Sequence, residues 1–450
     1  MSTRPSRPTL GSPEPYTFPT PQRLRVAGGE VVAVDLPGQP YASIRLVHPA
    51  GGVAEPAEQF GIAKLTSEVL EDGIHGNSSL APELERHGAE WTAGVTWDSF
   101  VTGVDAPVNR LEDAAALFAE AVRTPALRSE DVLRRQEQLI ERFWVEVSVP
   151  RTLAGRAVGS QLFTGRYASP LGGGPSRLRG LTPEAVAEFH RFAIGGIAGT
   201  LVVVGDLSGV DLQAMGKAVF TGTTPTQQRQ TTSLSPAPGE LPRVVVLDRP
   251  EAVQSALVLA TRAPARPDIN LPRAEGVSDV LGGMFTSRLN MELRERLGYT
   301  YGVHCRFDLR RDAGLLMINT EVDTPTTADS VAVTLAEIER LQQEGVTEGE
   351  LAAVREANTV GLAVQYSTAR AISGALVEAV VHDLPEDHVD RLRAGFEALS
   401  LADLHSGARE LLRPQEAVVV VAGDAESLTG PLAEAGAGAV TVCDAETYWE

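Results

Sequence analysis

Residues 201–206 read Leu-Val-Val-Val-Gly-Asp, and residues 418–424 read Val-Val-Val-Val-Ala-Gly-Asp. Each is a short β-branched run closed by turn-forming residues, as expected of a strand buried on both faces. Setting Asp206 over Asp424 gives an offset of 424 − 206 = 218, and the same offset lays Gln59–Glu71 over Val277–Leu289. Unrelated loop lengths would not preserve that spacing, so it points to an internal duplication. Working outward, strand pairs precede each helix: Val31–Val34 with Ala42–Val47, then Val244–Leu247 with Ala256–Ala260. Helices are expected over Phe60–Glu71 and Val277–Leu297, where apolar residues recur at helical spacing. Strict strand-helix alternation and a glycine fingerprint for nucleotides are both missing. The expected fold class is α+β, with two similar repeats, each a sheet covered by helices.

The expected domains are a flexible proline-rich arm over residues 1–22, a first domain over 23–220, a linker over 221–242 and a second domain over 243–450. The linker, TGTTPTQQRQTTSLSPAPGELP, is polar and rich in turn formers. Two tethered halves leave a groove between them in which a ligand could sit.

With 450 residues the chain is long enough for two or three cores. Its 59 acidic against 39 basic side chains give a net charge of −20, which argues against nucleic acid or an anionic membrane as partner. Such a charge serves solubility, and its sharper alternative use is a preference for basic peptides. Lys64 and Lys217 are the only lysines, so arginine carries nearly all the positive charge. Cys305 and Cys443, the only cysteines, are too few for a disulfide framework or a thiolate zinc site. Residues 1–22 hold no apolar run that could serve as a signal-peptide core, and no apolar run approaches the roughly 20 residues of a membrane span. The cytoplasm is the expected compartment.

The segments FGIAKLTSEVLEDG, RHGAEWTAGVTWDSFV, VVVGD and GGMFTSRLNMELRERLGYTYGV occur in an order and spacing that resembles the M16, insulinase-like zinc metallopeptidases. The resemblance runs from Phe60 to the end. It implies two similar α+β repeats per chain and assemblies that enclose a peptide-sized chamber. Active members carry an inverted zinc motif, HxxEH, whose histidines at i and i+4 share a helix face while the glutamate activates water. Here the matching stretch is Lys64-Leu65-Thr66-Ser67-Glu68, with Lys64, Ser67 and Glu68 at motif positions. The third ligand, a glutamate on a later helix, is matched by Arg142, although a shifted alignment would offer Glu141 or Glu146. An arginine repels a cation. No metal is therefore expected in this chain.

The second half keeps what the first lacks. Gly298 stands where a helix C-cap belongs, and the strand after it should alternate Tyr299, Tyr301, Val303, Cys305 and Phe307 on one face. Arg294 on the last helical turn and Tyr301 match the spacing of the family's Arg/Tyr pair, which serves the active site from the side opposite zinc. A guanidinium can hold a peptide carbonyl or carboxylate, and a phenol can donate to an oxyanion. The glycines of Leu281–Arg288 are expected to serve packing, and Leu171–Pro175 lacks the lysine of a phosphate loop. His382 and His388 are expected to be solvated loop side chains, and His75, His87 and His190 structural. The resemblance implies a non-catalytic subunit acting in trans. It would supply Arg294 and Tyr301 for a peptide substrate to a homologous HxxEH-bearing M16 partner, and zinc is expected in that partner. An inactive peptide-binding or scaffold protein is the alternative.

Overall fold

Valine-rich runs form the central strands of two six-stranded sheets in the computed structural model, which describes residues 15–74, 79–227, 235–445 and 448. The first sheet contains β1 (Gln22–Val26), β2 (Gly29–Asp35), β3 (Tyr41–His48), β4 (Glu90–Val95), β5 (Phe100–Pro107) and β6 (Gly199–Gly205), in the order β1-β2-β6-β3-β5-β4. The second contains β7 (Arg243–Asp248), β8 (Gln254–Ala263), β9 (Val303–Leu309), β10 (Gly314–Asp323), β11 (Val418–Gly423) and β12 (Ala439–Asp444), in the order β12-β7-β11-β8-β10-β9. Five positions correspond between the sheets, and the α+β architecture of two repeats is the one read from the duplication. The sixth differs, because β1 pairs antiparallel with β2 whereas β12 pairs parallel with β7.

The two quoted runs lie at matching places, each parallel to one neighbour and antiparallel to the other. Strand alternation splits their side chains between two cores. In β6, Leu201 and Val203 join the core of their own half, while Val202 and Val204 face away into another. In β11, Val419 and Val421 divide from Val418 and Val420 in the same way.

A sheet apolar on both faces needs helices on both. In the first half, α1 (Ile62–Val69), which runs into a 3₁₀ turn at Leu70–Asp72, and α2 (Ser129–Ser148) belong to the covering of one face. The next helix, α3 (Pro150–Leu162), crosses to the second sheet and packs on β8 and β11. There Leu153, Ala154, Ala157 and Val158 are buried with Leu247, Val258, Val418 and Val420. The second half, whose first helix is α4 (Leu271–Ser278), does the reciprocal: α5 (Ala369–Val381) packs on β3 and β6 of the first sheet. Ala369, Ile372, Ala375 and Leu376 are buried there with Val32, Val34, Val202 and Val204. A hydroxyl pair, Ser43 and Ser373 at 2.9 Å, adds a buried polar link between the halves.

Three expectations need correction. The second-half helix is broken: α4 continues as a π-type turn to Gly283, Met284 turns extended, and a second helical segment runs over Asn290–Arg296. Just before the break the segment packs closely on β9, where a Cβ on Gly282 would lie 2.8 Å from the Cys305 Cβ. The following strand starts at Val303, so Tyr299 and Tyr301 precede it. The Gly302 carbonyl that would extend the ladder accepts a hydrogen bond from Thr320 Oγ1 at 3.0 Å instead. The described end of the arm is seated, with Phe18 buried and 5.3 Å edge-on from Tyr366. The rest of the arm, residues 1–14, and linker residues 228–234 lie outside the described residues. No helix among the described residues is long and apolar enough to cross a membrane.

The exchange makes α3 a core element of the half it does not belong to. Leu153→Ala should cost about 2–5 kcal/mol, because the rigid cavity it leaves cannot fully collapse. Urea unfolding should show the loss in one transition shared by both halves, and a separate transition for the second half would contradict the cross-bracing.

Candidate functional site

The helix bearing the altered zinc motif is started by its neighbours. Gly61 adopts φ +97° ahead of Ile62, and the Glu55 carboxylate accepts hydrogen bonds from the N–H groups of Gly61 at 3.1 Å and Ala63 at 3.0 Å. One turn on, Lys64 Nζ lies 2.7 Å from Glu68 Oε1. Arg142, on α2 packed against α1, reaches the same oxygen at 2.9 Å. Arg135 stands 3.8 Å from the other carboxylate oxygen, and Arg134 and Arg135 clasp Asp72 at 2.9 and 2.8 Å. Ser67 is buried and donates to the Lys64 carbonyl at 2.7 Å, back along its own helix.

The structure thus brings Lys64, Glu68 and Arg142 together, with Glu68 only 14% exposed. Burial raises the Glu68 carboxyl, but hydrogen bonds and charge from Lys64 and Arg142 outweigh it and hold the group below the usual carboxylate range. This donor set does not fit zinc: Glu68 is spent on two cations, and among the described residues no His, Cys, Asp or Glu group of three gathers to hold a metal. The shifted alternatives fare no better, because Glu141 is exposed and Glu146 is ion-paired with Arg156.

Arg294 and Tyr301 flank the turn between the last helical segment and β9. Gly298, at φ +69°, reverses the chain, and the Tyr299 N–H closes the helix on the Leu293 carbonyl at 2.9 Å. Tyr299 is not a free phenol; it donates to Asp329 at 2.9 Å. Tyr301 is 97% exposed and makes no hydrogen bond among the described residues. Arg294 lies over the Phe285 ring, 4.0 Å from its centroid, and 3.5 Å from Glu295. Phe285 is itself 67% exposed, and sequence reading passed over it because a single Phe in a helical stretch reads as core. Its neighbour Arg288 is structural, with a two-pronged ion pair to Glu350 at 2.7 and 2.9 Å.

Between the halves runs a groove of about 670 Å³, walled by Trp97, α3 and Leu171 and floored by β9 and β10. Through Arg156 and Leu171 it continues into a cavity of about 260 Å³ that Lys64 and Arg142 line. The histidine expectations are only partly met. His190 is a core residue, its ring 2.8 Å from the Val122 carbonyl. His87 lies 3.4 Å from Asp113. His382 and His388 are half-buried rather than solvated, because the first caps α5 and the second opens the next helix, and burial lowers the pKa of each. His75 lies outside the described residues. Among the described residues, no three His, Cys, Asp or Glu side chains gather as a metal site.

A profile described as Insulinase (Peptidase family M16) matches residues 30–169, and one described as Peptidase M16 inactive domain matches residues 180–358. The chain belongs to the M16 family. An uncharacterized zinc protease of Mycobacterium tuberculosis is 22% identical over 419 residues, covering 90% of this chain and 94% of that protein. Among solved structures, a peptidase M16 inactive domain from Pseudomonas fluorescens superposes with a TM-score of 0.82 at 24% identity, covering 90% of this chain and 98% of that one. A protease from Helicobacter pylori does so with a TM-score of 0.79 at 16% identity, covering 90% and 100%. These two likenesses concern the fold.

Because the native Glu68 pKa is depressed, its pairing stabilises the fold above the unfolded carboxylate pKa and is lost as pH falls through the native value. Glu68→Gln should lower stability at pH 7 by about 1–3 kcal/mol, between exposed and buried pairs, since Arg142 is 45% exposed and partly screened. Melting curves should show that difference shrinking below about pH 4; a gap constant down to pH 3 would mean the charge is not what stabilises.

Proposed function

We propose that the chain is the non-catalytic subunit of a heterodimeric M16B-type peptidase, paired with a homologous subunit that carries HxxEH and the zinc. Tyr301 carries this reading: a phenol 97% exposed, with no hydrogen bond among the described residues and one turn of chain beyond Arg294, has no part in this chain's own core. Phe285, in the turn after the break, and Met291, on the segment that follows, are both exposed and extend the surface that a partner and peptide would cover. In the assembled enzyme the Arg294 guanidinium would hold a peptide carbonyl or carboxylate, and the Tyr301 hydroxyl would donate to the oxyanion that develops at the scissile carbonyl. The Lys64–Glu68–Arg142 cluster closes the locus of the lost motif and is assigned no chemistry. The same reading keeps the chain in the cytoplasm, in accord with its two free cysteines.

Two experiments test it. Metal analysis of the purified chain should find no stoichiometric zinc, and one tightly held ion lost on substitution at Lys64 would sink the assignment. Mixed with an HxxEH-bearing relative, the chain should yield peptide cleavage that neither protein shows alone. Tyr301→Phe should leave assembly intact and lower turnover by about 10²–10³, the usual cost of one oxyanion donor. Arg294→Ala should weaken peptide binding as well. Lys64→Ala should leave turnover nearly unchanged. Wild-type turnover in a Tyr301→Phe heterodimer would remove the pair from the mechanism.

A further inference from the structure

The floor of the groove follows from strand alternation. His304, Arg306 and Asp308 of β9 point to the α3 side of the sheet, opposite Asn319, Met317 and Leu315 of β10. The helix α3 covers β8 and β11 and only the near part of β10, so β9 is left uncovered and His304 and Arg306 are exposed. Helix α3 itself contributes Arg151 and Arg156 to the wall. Arg310 closes one end, 7% exposed, 4.8 Å from the Trp97 ring and 5.0 Å from the Tyr167 ring, with Asp308 at 2.9 Å. Beyond Arg156 the adjoining cavity adds Lys64 and Arg142.

Six basic side chains therefore line the continuous groove against two carboxylates, Asp308 and Glu146, with Glu68 just behind. Arg151 and Arg306 have no carboxylate partner among the described residues. This runs against the composition of a chain of net charge −20. It also runs against a cavity of about 840 Å³ elsewhere, where Glu251, Asp323 and Asp424 stand without a basic side chain. Gathering guanidinium groups in a concave, partly dry surface focuses a positive potential there, which an anionic ligand relieves.

We infer that the groove between the halves selects acidic peptide segments, reading side-chain carboxylates through Arg151, Arg306 and their neighbours. This deepens the proposed peptidase role and rests on it for the identity of the site. The preference is the reverse of the one that net charge alone suggests. A polynucleotide is the weaker occupant, because the −20 charge repels a long polyanion outside the groove, and the Trp97 and Tyr167 rings are already covered by Arg310.

The test needs only the full chain and no partner, so it can fail separately from the cleavage experiment. Fluorescein-labelled peptides of repeating Glu-Ala, Gln-Ala and Lys-Ala units are titrated with the protein and followed by anisotropy. The Glu-Ala peptide should bind at least about tenfold tighter than its Gln-Ala counterpart, with the gap narrowing as salt rises. The double variant Arg151→Glu/Arg306→Glu changes two exposed side chains; it should keep the wild-type melting temperature and lose the preference. Equal binding of the three peptides, tighter binding of Lys-Ala, tighter binding of a labelled polyuridylate, no binding at all, or a preference that survives the double variant would each overturn the inference. If cleavage on mixing fails while the Glu-Ala preference persists, the half-enzyme role falls and the groove's selectivity stands.

Discussion

Each sheet is apolar on both faces, and each half of the chain covers only one of them. Leu201 and Val203 are covered from within the first half, whereas Val202 and Val204 depend on a helix that arrives some 170 residues later. The reciprocal holds at β11 and α3. Burying an aliphatic side chain contributes roughly 1.5–3 kcal/mol, so the exchanged faces account for a large share of what orders both sheets. A swap of this kind ties the halves together more firmly than a linker could, since separating them would expose two sheet faces at once. The groove is its by-product. A single helix is too narrow to span six strands, and the outer strand β9 stays open beside it.

The two repeats apply one framework to opposite ends. In the first, α1 and α2 bring together Lys64, Glu68 and Arg142, and two cations hold one largely buried carboxylate. A carboxylate buried without such partners would be protonated or would destabilise the fold, so two cations here are the ordinary electrostatic answer to a largely buried glutamate. In the second repeat, the corresponding helix breaks at Met284, and its continuation ends in a turn that leaves Tyr301 outside every hydrogen-bond ladder. The charged motif residues of the first repeat pair within the chain, whereas the second leaves the Tyr301 phenol exposed at its surface. That asymmetry is what favours a role completed by another molecule.

The sequence by itself determined the α+β class, the duplication and the placing of the motif residues, because these depend on short-range patterns: β-branched runs, helical periodicity and fixed spacing. It also carried the Lys64–Glu68 pair, which needs only the i to i+4 geometry of one helix. Arg142 came within reach of that pair through the tertiary packing of α2 on α1. The exchange of α3 and α5 was not legible, since an apolar helix face does not record which of two similar sheets it will cover. The break at Met284 and the late start of β9 were hidden for a related reason. Each lies beside a contact between residues distant in sequence, Gly282 with Cys305 and Gly302 with Thr320. The sign of the groove's charge was decided last of all, because total composition fixes how many charges a chain carries, and only the fold decides which of them meet.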